Sequence, residues 1–169
     1  MSRSALRAGE AEAGVVQRAL ELAHRYIDRR ERTVSEVRSH LLAHDIDEAF
    51  VATAIEELVE QGYLDDARFA RLFAEDKRTL EQWGSERIRR ALMIRGVDRD
   101  LADAALVSGS GEGDGVIELD RALDVLRQRF PGAPRGGRER ERALGLLLRK
   151  GYEPELAVDA LRAHGHDGG

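Results

Sequence analysis

The chain has 169 residues, 35% of them charged, 42% apolar and 5% aromatic, with a formal net charge of −5 and no cysteine. That is about one domain's worth of chain, and its acidic balance excludes a simple polybasic nucleic-acid binder, while the lack of cysteine excludes disulfides, thiolate metal sites and thiol nucleophiles. No apolar run approaches the ~18 residues of a membrane span, and the N-terminal stretch has no apolar signal core, so a soluble, cytoplasmic protein without membrane contact is expected.

Abundant Ala, Leu, Glu and Arg with three prolines is a helical composition, and the expected fold class is all-α. Residues 1–14 lack apolar periodicity and are expected to form a disordered tail. From Val15 apolar residues recur at helical spacing: Val16, Leu20, Ala23 and Ile27, widened by Leu22 and Tyr26. Thr33, with Glu36 three residues on, has capping-box spacing and starts a second helix with the stripe Val37, Leu41 and Leu42. After a break at His44-Asp45, a third helix carries Phe50, Ile55, Leu58 and Val59 and stops at Gly62. Asp65 is placed to cap a helix bearing Phe69, Ala70, Leu72 and Phe73, with Tyr63, Leu64 and Phe69 expected in the core. Trp83-Gly84 marks a turn, Trp83 being read as a packing residue; Ile88, Leu92 and Met93 follow on another helix, Gly96 ends it, and a short helix carries Leu101, Ala105 and Leu106. Residues 108–115 contain four glycines and read as a flexible linker. Leu119, Leu123 and Leu126 mark a seventh helix, 131–137 is a Pro/Gly-rich loop, helices over roughly 138–150 and 154–164 follow, and 165–169 is a tail.

These segments repeat. Leu41-x₄-Ile46-Asp47-x₂-Phe50-x₄-Ile55 returns 51 residues later as Leu92-x₄-Val97-Asp98-x₂-Leu101-x₄-Leu106, and after a further 55 as Leu147-x₄-Tyr152-Glu153-x₂-Leu156-x₄-Leu161. Each copy puts an apolar residue inside a turn and an acid at the start of the next helix, where free N–H groups and the helix dipole favour it. Val37, Ile88 and Ala143 correspond, as do Leu42, Met93 and Leu148. Such units cannot bury their apolar faces alone, so a tandem array of three three-helix repeats is expected, over residues 15–62, 63–107 and 116–164, in an elongated, curved molecule.

Catalytic signatures are missing. The Gly-rich stretch lacks the following Lys-Ser/Thr of a phosphate-binding loop. His40 and His44 have an i,i+4 metal spacing but no third ligand, and read as a surface pair; His164 and His166 fall in a stretch read as mobile. No enzyme activity, metal or cofactor is expected. Nor does a long heptad seam suggest a coiled-coil dimer, so a monomer is expected.

Charge is distributed unevenly. Leu41 to Ala67 holds eight acidic residues and no Lys or Arg, whereas 85–99 and 135–150 carry net charges of +3 and +4. At 100° per residue, Arg138, Arg142 and Arg149 share one side of their helix with Leu144, Leu147 and Leu148 roughly opposite as its buried side, and Gly145 within the arginine stripe leaves room for a phosphate or a partner backbone. Arg87 matches Arg142 in the repeat, Arg90 lies on the same face, and Glu36 stands at the matching place in the first repeat. Guanidinium suits carboxylate and phosphate alike, so this face fits a protein partner or a nucleic-acid backbone. A solvated arginine face with i,i+4 acid partners is the plainer alternative.

Gly62-Tyr-Leu-Asp-Asp-Ala-Arg-Phe-Ala70, then Trp83-Gly84, Arg87-Ile-Arg-Arg-Ala-Leu92 and Gly96-Val97-Asp98, strongly resemble the RecX family of recombinase regulators. The helix Ser35-Glu36-Val37-Arg38-x₂-Leu41 and the turn Arg149-Lys-Gly-Tyr152 also match, so the resemblance covers roughly residues 15–164. It implies a tandem three-helix array that binds the RecA filament, sits in its groove and inhibits its ATPase, strand-exchange and coprotease activities, with no catalytic residue. On that basis Arg87, Arg90, Arg138, Arg142 and Arg149 are expected to face the filament, with contact to its DNA phosphates as a further possibility. The rival class is an autonomous nucleic-acid-binding helical repeat protein, which the net charge of −5 disfavours.

Overall fold

The computed structural model describes residues 3–107 and 114–166, with side chains described over 9–107 and 117–166. Among the described residues the regular structure is entirely α-helical: α1 (Arg3–Ile27), α2 (Val34–Leu42), α3 (Glu48–Glu60), α4 (Asp66–Glu81), α5 (Ser85–Ile94), α6 (Arg99–Leu106), α7 (Asp114–Arg129), α8 (Gly137–Lys150) and α9 (Pro154–His166). These are tandem three-helix repeats, α1–α3, α4–α6 and α7–α9. The all-α array inferred from periodicity is the array observed.

Helix boundaries differ from the sequence expectation at three places. Helix α1 starts at Arg3 rather than after a tail ending at residue 14, although residues 9–14 are all exposed. The alanine, leucine, glutamate and arginine content of residues 3–14 favours a helix by intrinsic propensity, which a search for an apolar stripe does not register. The linker assigned to 108–115 lies outside the described residues over 108–113, and its last two residues already belong to α7. Gly165 and His166, assigned to the tail, form the end of α9. That end is tied down, because His164 is buried and its Nε2 lies 2.8 Å from the Phe130 carbonyl oxygen.

The helix starts follow local chemistry. Thr33 Oγ1 accepts from the Glu36 N–H at 3.1 Å while the Glu36 carboxylate accepts from the Thr33 N–H at 3.0 Å, the reciprocal capping box. Asp65 accepts from the Arg68 N–H at 2.9 Å, and Asp98 from the Asp100 N–H at 2.8 Å. Asp47 precedes α3 without a side-chain cap bond, so its contribution there is the dipole interaction alone.

The chain divides into two compact units: one runs to Phe69 and includes Arg95–Val97, and the other holds Ala70–Ile94 and the chain from Asp98 on. In the first, α1, α2 and α3 bury Ala19, Leu20, Ala23, Val37, Leu41, Ile46, Val51, Ala54, Ile55, Leu58 and Leu64. In the second, α7, α8 and α9 bury Leu123, Val125, Leu126, Ala143, Leu147, Tyr152, Ala157 and Ala160 around one core, while α5 and α6 bury Ile88, Leu92, Ala102, Ala105 and Leu106. The repeat register is visible here: Leu41, Leu92 and Leu147 are all fully buried, and so are Val37, Ile88 and Ala143. Truncating any of those leucines to Ala removes about 2–5 kcal/mol. Leu64 and Phe69 are core residues as expected, but Tyr63 is 51% exposed and packs edge-on against the His24 ring at a centroid distance of 4.6 Å. Its position just after the left-handed turn at Gly62 turns it outward while Leu64 points in.

Candidate interaction surface

Within the second unit, two glycines bring two turns into direct backbone contact. Gly84, just before α5, donates to the Lys150 carbonyl at 2.8 Å, and the Glu86 N–H donates to the Gly151 carbonyl at 3.0 Å. A Cβ on Gly84 would lie 2.4 Å from the Gly151 backbone, and one on Gly151 would lie 2.2 Å from Arg87 Cβ. Gly151 also takes the left-handed conformation that ends α8, with φ 92°. Lys150 Nζ donates to the Glu81 carbonyl at 2.6 Å and the Tyr152 hydroxyl to the Gln82 carbonyl at 3.3 Å. Burial, then the nearby Glu118 carboxylate, push the Tyr152 phenol up to about 12.

This junction sets three of the five candidate arginines side by side. Arg87 stacks on the Trp83 ring, 4.0 Å from its centroid, and donates to the Arg149 carbonyl at 3.2 Å. Arg87, Arg90 and Arg149 line one open hollow together with Leu148, Tyr152 and Glu153. All three are exposed, and none forms an ion pair with a carboxylate among the described residues. Their neighbour Arg89, by contrast, pairs with Glu86 and Asp103. Arg138 and Arg142 are also exposed on α8, but they do not line this hollow.

The first unit contains the same junction built from different residues. Gly96, with φ 80°, stands in the repeat where Gly151 does, and a Cβ there would meet Ser35 Cβ at 2.3 Å. Thr33 Oγ1 donates to the Arg95 carbonyl at 2.7 Å, and the Arg95 guanidinium donates from Nε and Nη2 to the Glu36 carboxylate, both at 3.0 Å. Arg95 further lies 4.4 Å over the Phe69 ring. Glu36, the first-repeat counterpart of Arg87, is thus an internal acceptor rather than an outward contact. The third member of the series is Asp45, also left-handed at φ 59° but exposed.

Several sequence expectations change. Gly145 leaves no open approach on α8, because Arg149 folds back over it with Nη1 3.1 Å from the place a Cβ would take. Leu148 is 42% exposed instead of joining the buried side of α8. Trp83 is a support for Arg87 and also for Lys77, whose Nζ lies 4.8 Å from the ring centroid. His40 stacks flat on Tyr26 at 3.9 Å, the Arg32 guanidinium lies over the same Tyr26 ring at 3.8 Å, and burial with the nearby His44, Arg32 and Arg29 charges holds the His40 imidazole below its ordinary range. Among the described residues no three His, Asp or Glu side chains gather in a metal-holding group, and no helix is long and apolar enough to cross a membrane. The glycine junction itself escaped sequence reasoning, although the alignment of Gly96 with Gly151 carried its signal.

Comparison with known proteins bears on the whole array. Residues 19–58 match the family model for the first three-helix domain of RecX, and residues 65–106 match that for the second. The regulatory protein RecX of Xanthomonas campestris pv. campestris (strain B100) is 33% identical over 139 residues, which is 82% of this chain and 80% of that protein. This chain belongs to the RecX family. The RecX of Lactobacillus delbrueckii subsp. bulgaricus (strain ATCC 11842) is 40% identical over 95 residues, and the matched part spans only 35% of that longer protein. The RecX fold extends further than sequence identity does: the crystal structure of RecX from Lactobacillus salivarius superposes with a TM-score of 0.77 at 18% identity, over 89% of this chain and 97% of that one.

Proposed function

We propose that this RecX-family chain binds the RecA nucleoprotein filament and modulates it, mainly by inhibiting its ATPase, strand-exchange and coprotease activities, without transforming a substrate of its own. The observation that carries this reading is the trio Arg87, Arg90 and Arg149, held on one hollow with no carboxylate partner among the described residues. Guanidiniums that form no ion pair among the described residues are suited to an acidic partner. Arg138 and Arg142 extend the same charge along α8. The repeats over 15–62, 63–107 and 116–164 act as successive contact modules, so that each added contact raises the effective concentration of the next.

The test is DNA-dependent ATP hydrolysis by purified RecA with the chain added well below one per recombinase monomer. The expected result is inhibition at these ratios, weakened by Arg87→Glu combined with Arg142→Glu at unchanged helical content. No change in hydrolysis together with no binding to preformed filaments overturns the proposal. Equally decisive against it is tight, steeply salt-dependent binding to bare DNA that RecA does not enhance, the signature of an autonomous phosphate binder.

A further inference from the structure

Around Arg90 the surface is not purely basic. This arginine lines two adjoining hollows of the second unit, one containing Leu148 and Arg149, the other Met93 and Ile94. Those apolar side chains stand in solvent: Ile94 is 80% exposed, Met93 46% and Leu148 42%. A lone exposed leucine is ordinary, but this position recurs. Leu42, Met93 and Leu148 occupy the same place in the three repeats, each directly after a fully buried leucine, and all three are more than 40% exposed. A helix face meant only for water takes Glu, Lys or Arg there at no loss of helix propensity. Ile94 makes the point more sharply, since a β-branched residue lowers propensity slightly and so exposed a side chain gains little from burial on folding.

We infer that Met93, Ile94 and Leu148, set around Arg90 and Arg149, form the centre of a docking surface for a folded protein patch of apolar and acidic side chains, and not for nucleic-acid phosphates. The inference rests on the filament reading above and assigns this contact to the filament's protein subunits. Two features of the surface select that occupant. Arg90 and Arg149 form no ion pair among the described residues, although Glu86 and Glu153 line the same hollow, and so call for carboxylates or phosphates; a phosphate backbone offers nothing apolar for Met93, Ile94 and Leu148 beside them. Protein interfaces, in contrast, enrich Met and Arg and place their energetic centre on desolvated apolar anchors ringed by polar groups.

The experiment measures affinity of the full chain for RecA filaments on single-stranded DNA with a slowly hydrolysed ATP analogue, and for the same DNA alone, over a range of salt. Ile94→Ser with Leu148→Ser is expected to weaken filament binding about tenfold or more. The conservative pair Ile94→Leu with Leu148→Met should restore it, and the loss should persist at high salt, where exposed charge contacts are screened. Circular dichroism checks that the serine pair keeps the helical content. A serine pair within twofold of the unaltered chain overturns the inference. So does bare DNA bound as tightly as the filament, with a salt slope worth several phosphates. An unaltered chain that binds neither filament nor DNA overturns the filament reading itself, and this inference with it.

Discussion

Replacing Gly151 by alanine isolates the physics of the turn-to-turn junction. The residue sits at φ 92°, where an L side chain costs about 1–2 kcal/mol. The new methyl would lie 2.2 Å from Arg87 Cβ and 2.6 Å from the Arg87 backbone nitrogen, and because backbone cannot rotate away, relieving this overlap costs about 1–3 kcal/mol more. The sum, about 2–5 kcal/mol, is a large share of the ~5–15 kcal/mol that stabilises a typical protein. At roughly 2–4 °C per kcal/mol for a chain of this size, the thermal midpoint should fall by about 4–20 °C. Gly62→Ala is the matched control: this glycine also ends a helix, its φ is 76° and nothing lies within 4 Å of the added carbon, so only the backbone part remains. Circular dichroism melts and urea titrations of both variants measure the difference. If Gly151→Ala is no more destabilising than Gly62→Ala within ~0.5 kcal/mol, the close approach does not matter energetically and the explanation of how Arg87 and Arg149 are positioned is wrong.

Other expectations follow from the same geometry. Thr33→Ala removes an acceptor for the Glu36 N–H and a donor to the Arg95 carbonyl, and should cost about 1–2 kcal/mol by urea midpoint, whereas Thr33→Ser should retain most of that stability. The Tyr152 phenol is raised in the folded state to about 12, so the fold holds that proton more tightly than the unfolded chain does. Its stabilisation is full below the ordinary phenol range near pH 10 and is lost as pH climbs toward 12; Tyr152→Phe should lack that alkaline component in unfolding titrations, and parallel losses in both proteins would contradict it. Asp45→Gly, at φ 59° in an exposed turn, should be neutral or stabilising by up to ~1 kcal/mol, while Gly96→Asp at the equivalent place, facing Ser35 at 2.3 Å, should be strongly destabilising in the same assay.

Much of this was legible because burial imposes periodicity. Leu41, Leu92 and Leu147 align in the sequence since each fills the equivalent place in the core of its own repeat, and Ile46, Val97 and Tyr152 align since each closes the equivalent turn. The capping box at Thr33 was readable for a similar reason: its two bonds are local, within three residues. What stayed hidden depends on contacts distant along the chain. That Glu36 serves Arg95 and that Arg87 lies on Trp83 beside Arg149 cannot be read from helical phase, which gives direction around an axis but not the partner met there. Phase also placed Leu148 inward, yet the core of α7–α9 closes over Ala143 and Leu147 and leaves Leu148 outside. The helical start of α1 was missed for the opposite reason, since exposed residues held by propensity leave no apolar trace.

The left-handed turn gives the string of modules a direction. The middle copy alone has both halves of the joint, Gly96 as the socket and the Gly84 turn as the tongue. In the first copy the socket position is held by Asp45, which stands exposed, and in the last the stretch matching that tongue is wound into an earlier-starting helix at Gly137. Each joint therefore hangs on one hydrogen atom: any side chain at Gly96 or at Gly151 fills the socket that the opposing turn occupies.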